Sequence, residues 1–444
     1  MKKTKLAVAC ALLMTLAGCN GGSSSSDGPS GPGSPNVKGD PSLSKIYAYQ
    51  ASELSDAALE CAKIYKQRRS CSLDKIRPIG AEKQQDVTIE EIRSRLLVSH
   101  AWMAESFIDA LREINDQDLL NLFKPLNTIV LSYDIRPSFY HPATASMYID
   151  AAYLWRNASD WSTIYQQEDY RQAFSKQFSY DSATRYLDSE LFDYVTYSND
   201  YDVMHNGERK TEQIAPGLFR LLSHELAHAN DLLPPTDLLQ LADSGTIYSE
   251  IESADHVAKQ LTSSQPLTSA LLLEAAQVSF HGEAMTDRVR QSTGQQAGGE
   301  FERDGAAAFY GYSTPQEDVA MLFESYMMYK KYKVYSEVAF LSVPQTTYYS
   351  CNDWKVLWGQ RNRLADTNVR ERTVLVAQRI LNVSENDIRA NMPSSTMRPK
   401  TMPLGKGWCE IVGRSYDESG EMRYAPPQKR KERFGYLEDI GAKE

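Results

Sequence analysis

The residues best suited to chemistry are His224-Glu225-Leu226-Ala227-His228, which form a His-Glu-x-x-His pattern. In a helix, side chains four positions apart lie on the same side, one turn above each other. His224 and His228 can therefore reach one tetrahedral ion, and Glu225 then lies beside that ion. A carboxylate there takes a proton from a water that the ion has made acidic and passes it to a leaving amine. The pattern predicts a hydrolytic metal site with Glu225 as the general base.

A helix is needed to hold this pattern. Pro216 suits the first turn of a helix, and the apolar residues after it recur at helical spacing. The helix should end before Pro234-Pro235. In the alternative interpretation, His224 and His228 are two surface residues that touch as i, i+4 neighbours and bind no metal.

A catalytic zinc site has three protein ligands and one open position, so the two histidines need a further partner. Asp231 is too close to His228 for the helix to bend back easily. Glu250 and Glu252 lie about where thermolysin-like enzymes place a glutamate, although the aspartate expected four residues after Glu250 is missing. Both glutamates stay open as alternative ligands.

A third candidate ligand, Glu317, lies further along the chain. Thr314 and Pro315 are expected to start a helix, and Glu317 then lies in its first turn. Apolar residues that continue at helical spacing would dock this helix against the core. A capping box is the competing interpretation, because a glutamate three residues after Thr314 can cap the helix start without meeting a metal.

The two segments together resemble zincins of the lethal-factor and Pro-Pro endopeptidase type, in which a tyrosine lies seven positions before a glutamate ligand. The resemblance implies that His224, His228 and Glu317 bind Zn²⁺ and that Glu225 is the base. It also implies that Tyr310 donates its hydroxyl to the developing oxyanion, a charge that exists only as the tetrahedral intermediate forms. Tyr310 can equally be an ordinary packing tyrosine.

The resemblance covers only these two segments, about a tenth of the chain. The gap between His228 and Glu317 is longer than in those relatives, which implies an inserted helical segment. Met321 stands where the pattern often has another glutamate. Asp318 is expected to orient a ligand histidine from outside the ligand set. His281, in the inserted segment, can approach the cleft or be a structural histidine.

The start of the chain is a processing signal. Three lysines precede an apolar run at residues 6–16 that is too short to span a membrane. The run ends in Leu-Ala-Gly-Cys at residues 16–19, which resembles the lipobox of bacterial lipoproteins. The resemblance implies removal of residues 1–18, lipidation of Cys19, and a place in the cell envelope of a Gram-negative bacterium. Because Asn20 is not the aspartate of the retention signal, the outer membrane is favoured.

Four further cysteines are expected to form disulfides. Cys61, Cys71, Cys351 and Cys409 are an even number in an exported chain, and no Cys-x-x-Cys spacing suggests a zinc cluster. Proximity along the chain favours pairing of Cys61 with Cys71 and of Cys351 with Cys409, although four cysteines allow three connectivities.

The chain of 444 residues is 42% hydrophobic and 24% charged, which is enough to bury a sizeable core. Residues 19–40, rich in Gly, Ser and Pro, should form a flexible tether. Helical spacing predicts an N-terminal helical lobe at 41–125. A zincin-like core follows at 126–341, and a region without an assigned role follows at 342–444. The fold class is therefore α+β, mainly helical, with a small mixed sheet and an active-site helix beside the lobe.

Two short strands are predicted within the core. Residues 128–133 form a compact β-branched run, and Ser146–Ala152 alternates apolar residues. Within the second run, Ser146–Asp150 is expected either to be an open sheet edge that receives an extended peptide, or to be an ordinary buried strand.

The net charge of −10, from 48 basic and 58 acidic residues, gives little support to nucleic-acid binding.

The metal-binding pattern, the resemblance to zincins and the lipobox together predict a membrane-anchored zinc peptidase that acts on peptides or proteins. Two alternatives stay open: a binding or scaffold lipoprotein that cleaves nothing, against which the intact Glu225 argues, and a zinc hydrolase of a non-peptide amide. The sequence does not indicate the oligomeric state.

Overall fold

The computed structural model describes residues 41–67, 69–81, 85–164, 178–188, 208–346, 349 and 351–408. Cys19, the tether and Cys409 lie outside these ranges, so the lipid anchor and the second disulfide stay predictions. Within the described ranges, no helix is both long enough and apolar enough to cross a membrane.

The described residues are α+β, with helices in the majority. The helices are α1 (Ser55–Lys63), α2 (Ile89–Ser94), α3 (Ala101–Ile114), α4 (Gln117–Asn121), α5 (Ala158–Trp161), α6 (Thr211–Leu232), α7 (Ile247–Ser253), α8 (Val257–Ser264), α9 (Ala270–His281), α10 (Asp287–Gln291), α11 (Gly294–Arg303), α12 (Pro315–Tyr332), α13 (Thr367–Leu381) and α14 (Glu385–Ala390). The coarse fold class predicted from the sequence is therefore confirmed.

Within the described ranges, two small sheets accompany the helices. Their strands are β1 (Tyr47–Ala48), β2 (Leu96–Val98), β3 (Thr128–Ser132), β4 (Phe139–His141), β5 (Ser146–Asp150), β6 (Tyr180–Leu187), β7 (Tyr335–Ser342), β8 (Val356–Arg361) and β9 (Lys400–Thr401). The first sheet has the order β1-β2-β3-β5-β4, in which β2, β3 and β5 are parallel and β1 and β4 pair antiparallel at the edges. The second sheet, β6-β7-β8-β9, is antiparallel throughout.

The first sheet confirms both predicted strands of the core and corrects one prediction about them. β3 and β5 are buried at every position, as parallel strands covered on both faces usually are. β5 does not form the edge, because β4 pairs with it and places Phe139 opposite Tyr148. The prediction that Ser146–Asp150 offers an open edge to substrate is therefore wrong, and the ordinary buried strand is correct.

The segment 41–125 is not helical throughout. β2 lies within it and pairs with β3, so one sheet crosses the predicted boundary between residues 125 and 126. Likewise β8, from the region without an assigned role, pairs with β7 of the predicted core. A strand as short as β2 has too few residues for its periodicity to differ from that of a helix, which is why the pattern did not reveal it.

Helices α6 and α12 pack against each other in the larger hydrophobic core of the described residues. Both bury long apolar faces in the same core, through residues such as Leu218 and Leu222 on α6 and Leu322 and Phe323 on α12. α6 ends at Leu232, before the two prolines, as predicted.

The start of α6 differs from the prediction. The helix begins at Thr211, where the backbone N–H of Lys210 donates to the Gln213 side chain at 2.8 Å. Pro216 therefore lies inside the helix, and the prediction that it occupies the first turn is wrong. Proline is favoured in a first turn but does not by itself define one.

A disulfide joins Cys61 of α1 to Cys71, with the two Cα atoms 5.3 Å apart. This confirms the first predicted pairing. The backbone around Cys71 is held on both sides, because its N–H donates to Ala143 and its carbonyl accepts from Ile247 at the start of α7. The disulfide thus links α1 to Cys71, whose backbone is hydrogen-bonded to the start of α7.

Candidate metal centre

Helix α6 places both histidines of the motif on one side, as the i, i+4 spacing predicts. The ring centroids of His224 and His228 are 5.0 Å apart and their planes are nearly perpendicular, at 82°. Their side chains are only 12% and 7% exposed. Glu225 is buried next to them, with 4% exposure. The two histidines are therefore not surface residues, which corrects that part of the alternative interpretation.

Glu317, in the first turn of α12, completes the group. Its Oε2 atom lies 3.0 Å from His224 Nε2 and 3.4 Å from His228 Nε2. The hydroxyl of Thr314 accepts the backbone N–H of Glu317 at 3.1 Å and so caps the helix. The threonine half of the predicted capping box is therefore present, while the carboxylate that would form the other half turns to the histidines.

These three residues fit a metal ion. Their ligand atoms all lie within 4.8 Å of one another in a buried cluster. His228 Nε2 is buried and has no partner with hydrogen-bond geometry among the described residues. An unsatisfied buried polar atom is unfavourable, and a cation that accepts its lone pair removes that cost. His224, His228 and Glu317 can therefore hold a metal ion.

The charges around the cluster favour a cation. Burial alone would lower the pKa of His224, but hydrogen bonds to Glu317 and Glu324, with the charges of Glu317 and Glu225, raise it to about 10. Burial alone would raise the pKa of Glu317, but the imidazoles of His228 and His224 hold it well below its usual range. The site thus attracts positive charge, which a metal ion can supply in place of a proton.

Tyr310 is brought to the same site, on a short 3₁₀ helix, Phe309–Tyr312, that precedes α12. Its hydroxyl donates to Glu317 Oε1 at 3.1 Å. Its ring lies nearly parallel to His224, with centroids 6.1 Å apart, and meets Phe280 edge-on at 4.8 Å. Tyr310 therefore contacts the candidate ligands directly.

Asp318 does not orient a histidine, so that prediction is wrong. Both of its carboxylate oxygens accept hydrogen bonds from Arg372 on α13, in a buried pair. One residue along a helix is a rotation of about 100°, so Asp318 faces away from the side that carries Glu317. Arg372 also donates to the carbonyls of Gly305 and Gln265, and it thereby ties the first turn of α12 to two surrounding segments.

The carboxylate that does face a ligand histidine is Glu324, which the sequence analysis did not identify. Its Oε2 atom lies 3.4 Å from His224 Nδ1, and the residue is 1% exposed. Glu324 follows Glu317 by seven positions, a spacing that returns to nearly the same side of a helix. The seven-residue spacing was the signal available in the sequence. It does not identify a functional acid by itself, because the sequence does not show which side of α12 packs against α6.

The remaining candidates lie away from the cluster. Glu250 and Glu252 are on α7, where Glu252 is exposed, and neither belongs to the group whose ligand atoms converge. His281 is exposed at the end of α9, whereas its neighbour Phe280 contacts Tyr310. Helices α7 to α11 lie between α6 and α12 along the chain, so the described segment between the two ligand-bearing helices is helical, and its being an insertion stays a prediction.

Comparison of the chain with protein-family models, curated proteins and solved structures finds no match. The argument for function therefore depends on the residues and geometry of this chain.

Proposed function

We propose that the protein is a zinc-dependent peptidase of the zincin type, anchored to the cell envelope through lipidated Cys19. The observation that carries the proposal is the buried convergence of His224, His228 and Glu317, with ligand atoms within 4.8 Å of one another. Two imidazole nitrogens and one carboxylate oxygen are a donor set that suits Zn²⁺, whereas Mg²⁺ and Ca²⁺ prefer oxygen ligands alone. Three ligands from the protein leave one position for water or substrate.

A bound zinc ion would polarise the peptide carbonyl and lower the pKa of water at the site to about 7. Glu225, adjacent to His224 on α6 and 4% exposed, accepts a proton from the attacking water. It then delivers that proton to the nitrogen of the leaving amine.

Tyr310 supplies a hydrogen-bond donor. Its hydroxyl lies 3.1 Å from a carboxylate oxygen of the proposed ligand Glu317. It is therefore beside the proposed metal site, at which the carbonyl oxygen of a substrate would gain negative charge. A phenol that turns from Glu317 to that oxygen stabilises the transition state more than the ground state. The packing of its ring against Phe280 holds the phenol in place.

The cellular setting follows from the start of the chain. The apolar leader and the cysteine at position 19 favour a lipid anchor, and the tether at 19–40 would hold the folded body away from the membrane. The Cys61–Cys71 disulfide is of the kind found in oxidising compartments outside the cytosol. Peptides or proteins of the envelope would then be the substrates.

Metal content tests the first part of the proposal. The mature chain with Cys19→Ser, which cannot be lipidated, should purify with close to one zinc per chain, and His228→Ala should lose it. The control is His281→Ala, which removes an exposed histidine outside the cluster and should keep the metal. A wild-type protein that takes up no zinc after incubation with the ion contradicts the proposal.

Cleavage of a peptide library tests the second part. The wild-type protein should cut a subset of peptides, and Glu225→Gln should abolish cleavage while keeping zinc, because it removes only the proton acceptor. Zinc binding without cleavage of any peptide would favour a binding lipoprotein or a hydrolase of another amide.

A further inference from the structure

His224 lies next to a buried acid, Glu324, which is neither a proposed metal ligand nor the proposed base. Nε2 of His224 points to Glu317, and the other ring nitrogen, Nδ1, lies 3.4 Å from Glu324 Oε2. Glu324 lies deep on α12, with 1% exposure. The imidazole is therefore held between two carboxylates on one helix, and its two nitrogens face different oxygens.

This arrangement matches the tautomer that a metal requires. An imidazole that binds a cation through Nε2 carries its proton on Nδ1, and that proton needs an acceptor. Two other positions on α12 do not provide one. Asp318 is engaged by Arg372, and Met321 offers only a thioether, which is a weak acceptor.

Glu324 is itself fixed from two directions. The hydroxyl of Tyr186, on β6, donates to Glu324 Oε1 at 2.7 Å. Arg220, one turn before His224 on α6, lies 3.7 Å from Glu324 Oε2. These contacts fix the carboxylate with Oε1 toward Tyr186 and Oε2 toward His224.

We infer that Glu324 is a positioning residue for the metal centre and that Tyr186 supports it, so that the second sheet helps to fix the orientation of a metal ligand. The inference rests on the proposed zinc site and adds a part to it. Glu324 holds the proton on His224 Nδ1 and stops the ring from turning, while Tyr186 stops the carboxylate from turning. Neither residue touches the substrate.

Zinc affinity, measured by competition with a chromophoric chelator, tests the inference. Loss of a partner that orients a ligand histidine typically weakens binding about 10- to 100-fold. We expect Glu324→Leu to lie near the upper end of that range. Glu324→Gln should lie near the lower end, because an amide oxygen still accepts a hydrogen bond. Tyr186→Phe should weaken binding by roughly two- to fivefold, because it removes one hydrogen bond from Glu324.

A matched control separates positioning from folding. Glu337 on β7 is another fully buried glutamate, held by Arg185 and Arg361. Glu337→Gln should lower the melting temperature of the zinc-free protein, as the Glu324 variants should, yet leave zinc affinity within about twofold of the wild type. A role for Glu324 in the stability of the fold alone would give all these variants the same zinc affinity.

The outcomes distinguish the inference from the proposal beneath it. Wild type that binds zinc, with unchanged affinity in the Glu324 variants and in Tyr186→Phe, overturns the inference and leaves the proposed function standing. Wild type that binds no zinc overturns both. If Glu324→Leu does not fold, the graded losses expected for Glu324→Gln and Tyr186→Phe decide the matter by the same measurement.

Discussion

The buried pair of Asp318 and Arg372 should be essential for the stability of the segment that carries Glu317. In Asp318→Asn, the guanidinium of Arg372 keeps its charge but loses its counterion while its side chain is 4% exposed. Removing one partner of a buried pair costs about 3–5 kcal/mol, because the other charge is left buried without compensation. We expect a loss of this size in the free energy of unfolding.

The expected loss converts to a measurable shift in melting temperature. The 329 residues that the structure describes correspond to an unfolding entropy of roughly 0.7 kcal/mol per kelvin. Asp318→Asn should therefore lower the melting temperature by about 4–7 °C. Differential scanning calorimetry of the zinc-free protein measures this shift without a contribution from metal binding.

The control is a second, more exposed ion pair that involves α13, the helix that carries Arg372. Glu371, next to Arg372, pairs with Arg389, and these two side chains are 44% and 32% exposed. Exposed pairs contribute about 0–1 kcal/mol, so Glu371→Gln should shift melting by less than about 1.5 °C. In the double variant Asp318→Asn with Arg372→Met, both charges are gone, and the loss should be smaller than the sum of the single losses. A shift for Asp318→Asn no larger than that for Glu371→Gln would refute the reasoning.

Three further outcomes are expected. Tyr310→Phe should lower kcat/KM about 10²- to 10³-fold with zinc content unchanged, whereas Tyr312→Phe in the same turn should leave cleavage intact; equal rates for the two would exclude the oxyanion role. Replacing Cys61 and Cys71 with serine should lower the free energy of unfolding in urea by about 2.7 kcal/mol, as the 10-residue separation implies, and an unchanged midpoint would contradict this. Burial lowers the pKa of His141 to about 4, below its unfolded value of about 6.5, so stability should fall as pH drops through that window. At pH 4.5 the loss due to His141 should be about 2–3 kcal/mol in urea titrations, and His141→Gln should remove it; parallel pH profiles for the two proteins would disprove the assignment.

The sequence was sufficient where one helix decides the geometry. The relation between His224, Glu225 and His228 depends only on the helical rise and rotation per residue, and the structure places both imidazoles on one side of α6 as predicted. The start of α12 at Pro315 was equally local, because Thr314 caps the backbone of its first turn. The first disulfide followed from the short separation of its two cysteines.

Packing between segments that are distant in the sequence decided the third ligand, the acid that faces His224 and the position of β5 in its sheet. Glu317 meets His224 across 93 residues of chain, and Glu250, which is nearer in sequence, lies on a helix outside the cluster. The choice between Asp318 and Glu324 depended on how α12 is rotated against α6, and no periodicity within either helix specifies that rotation. Likewise β5 proved to be an interior strand because β4 pairs with it. Local spacing is fixed by covalent geometry and backbone hydrogen bonds, whereas these contacts arise only when apolar faces from the whole chain are buried together.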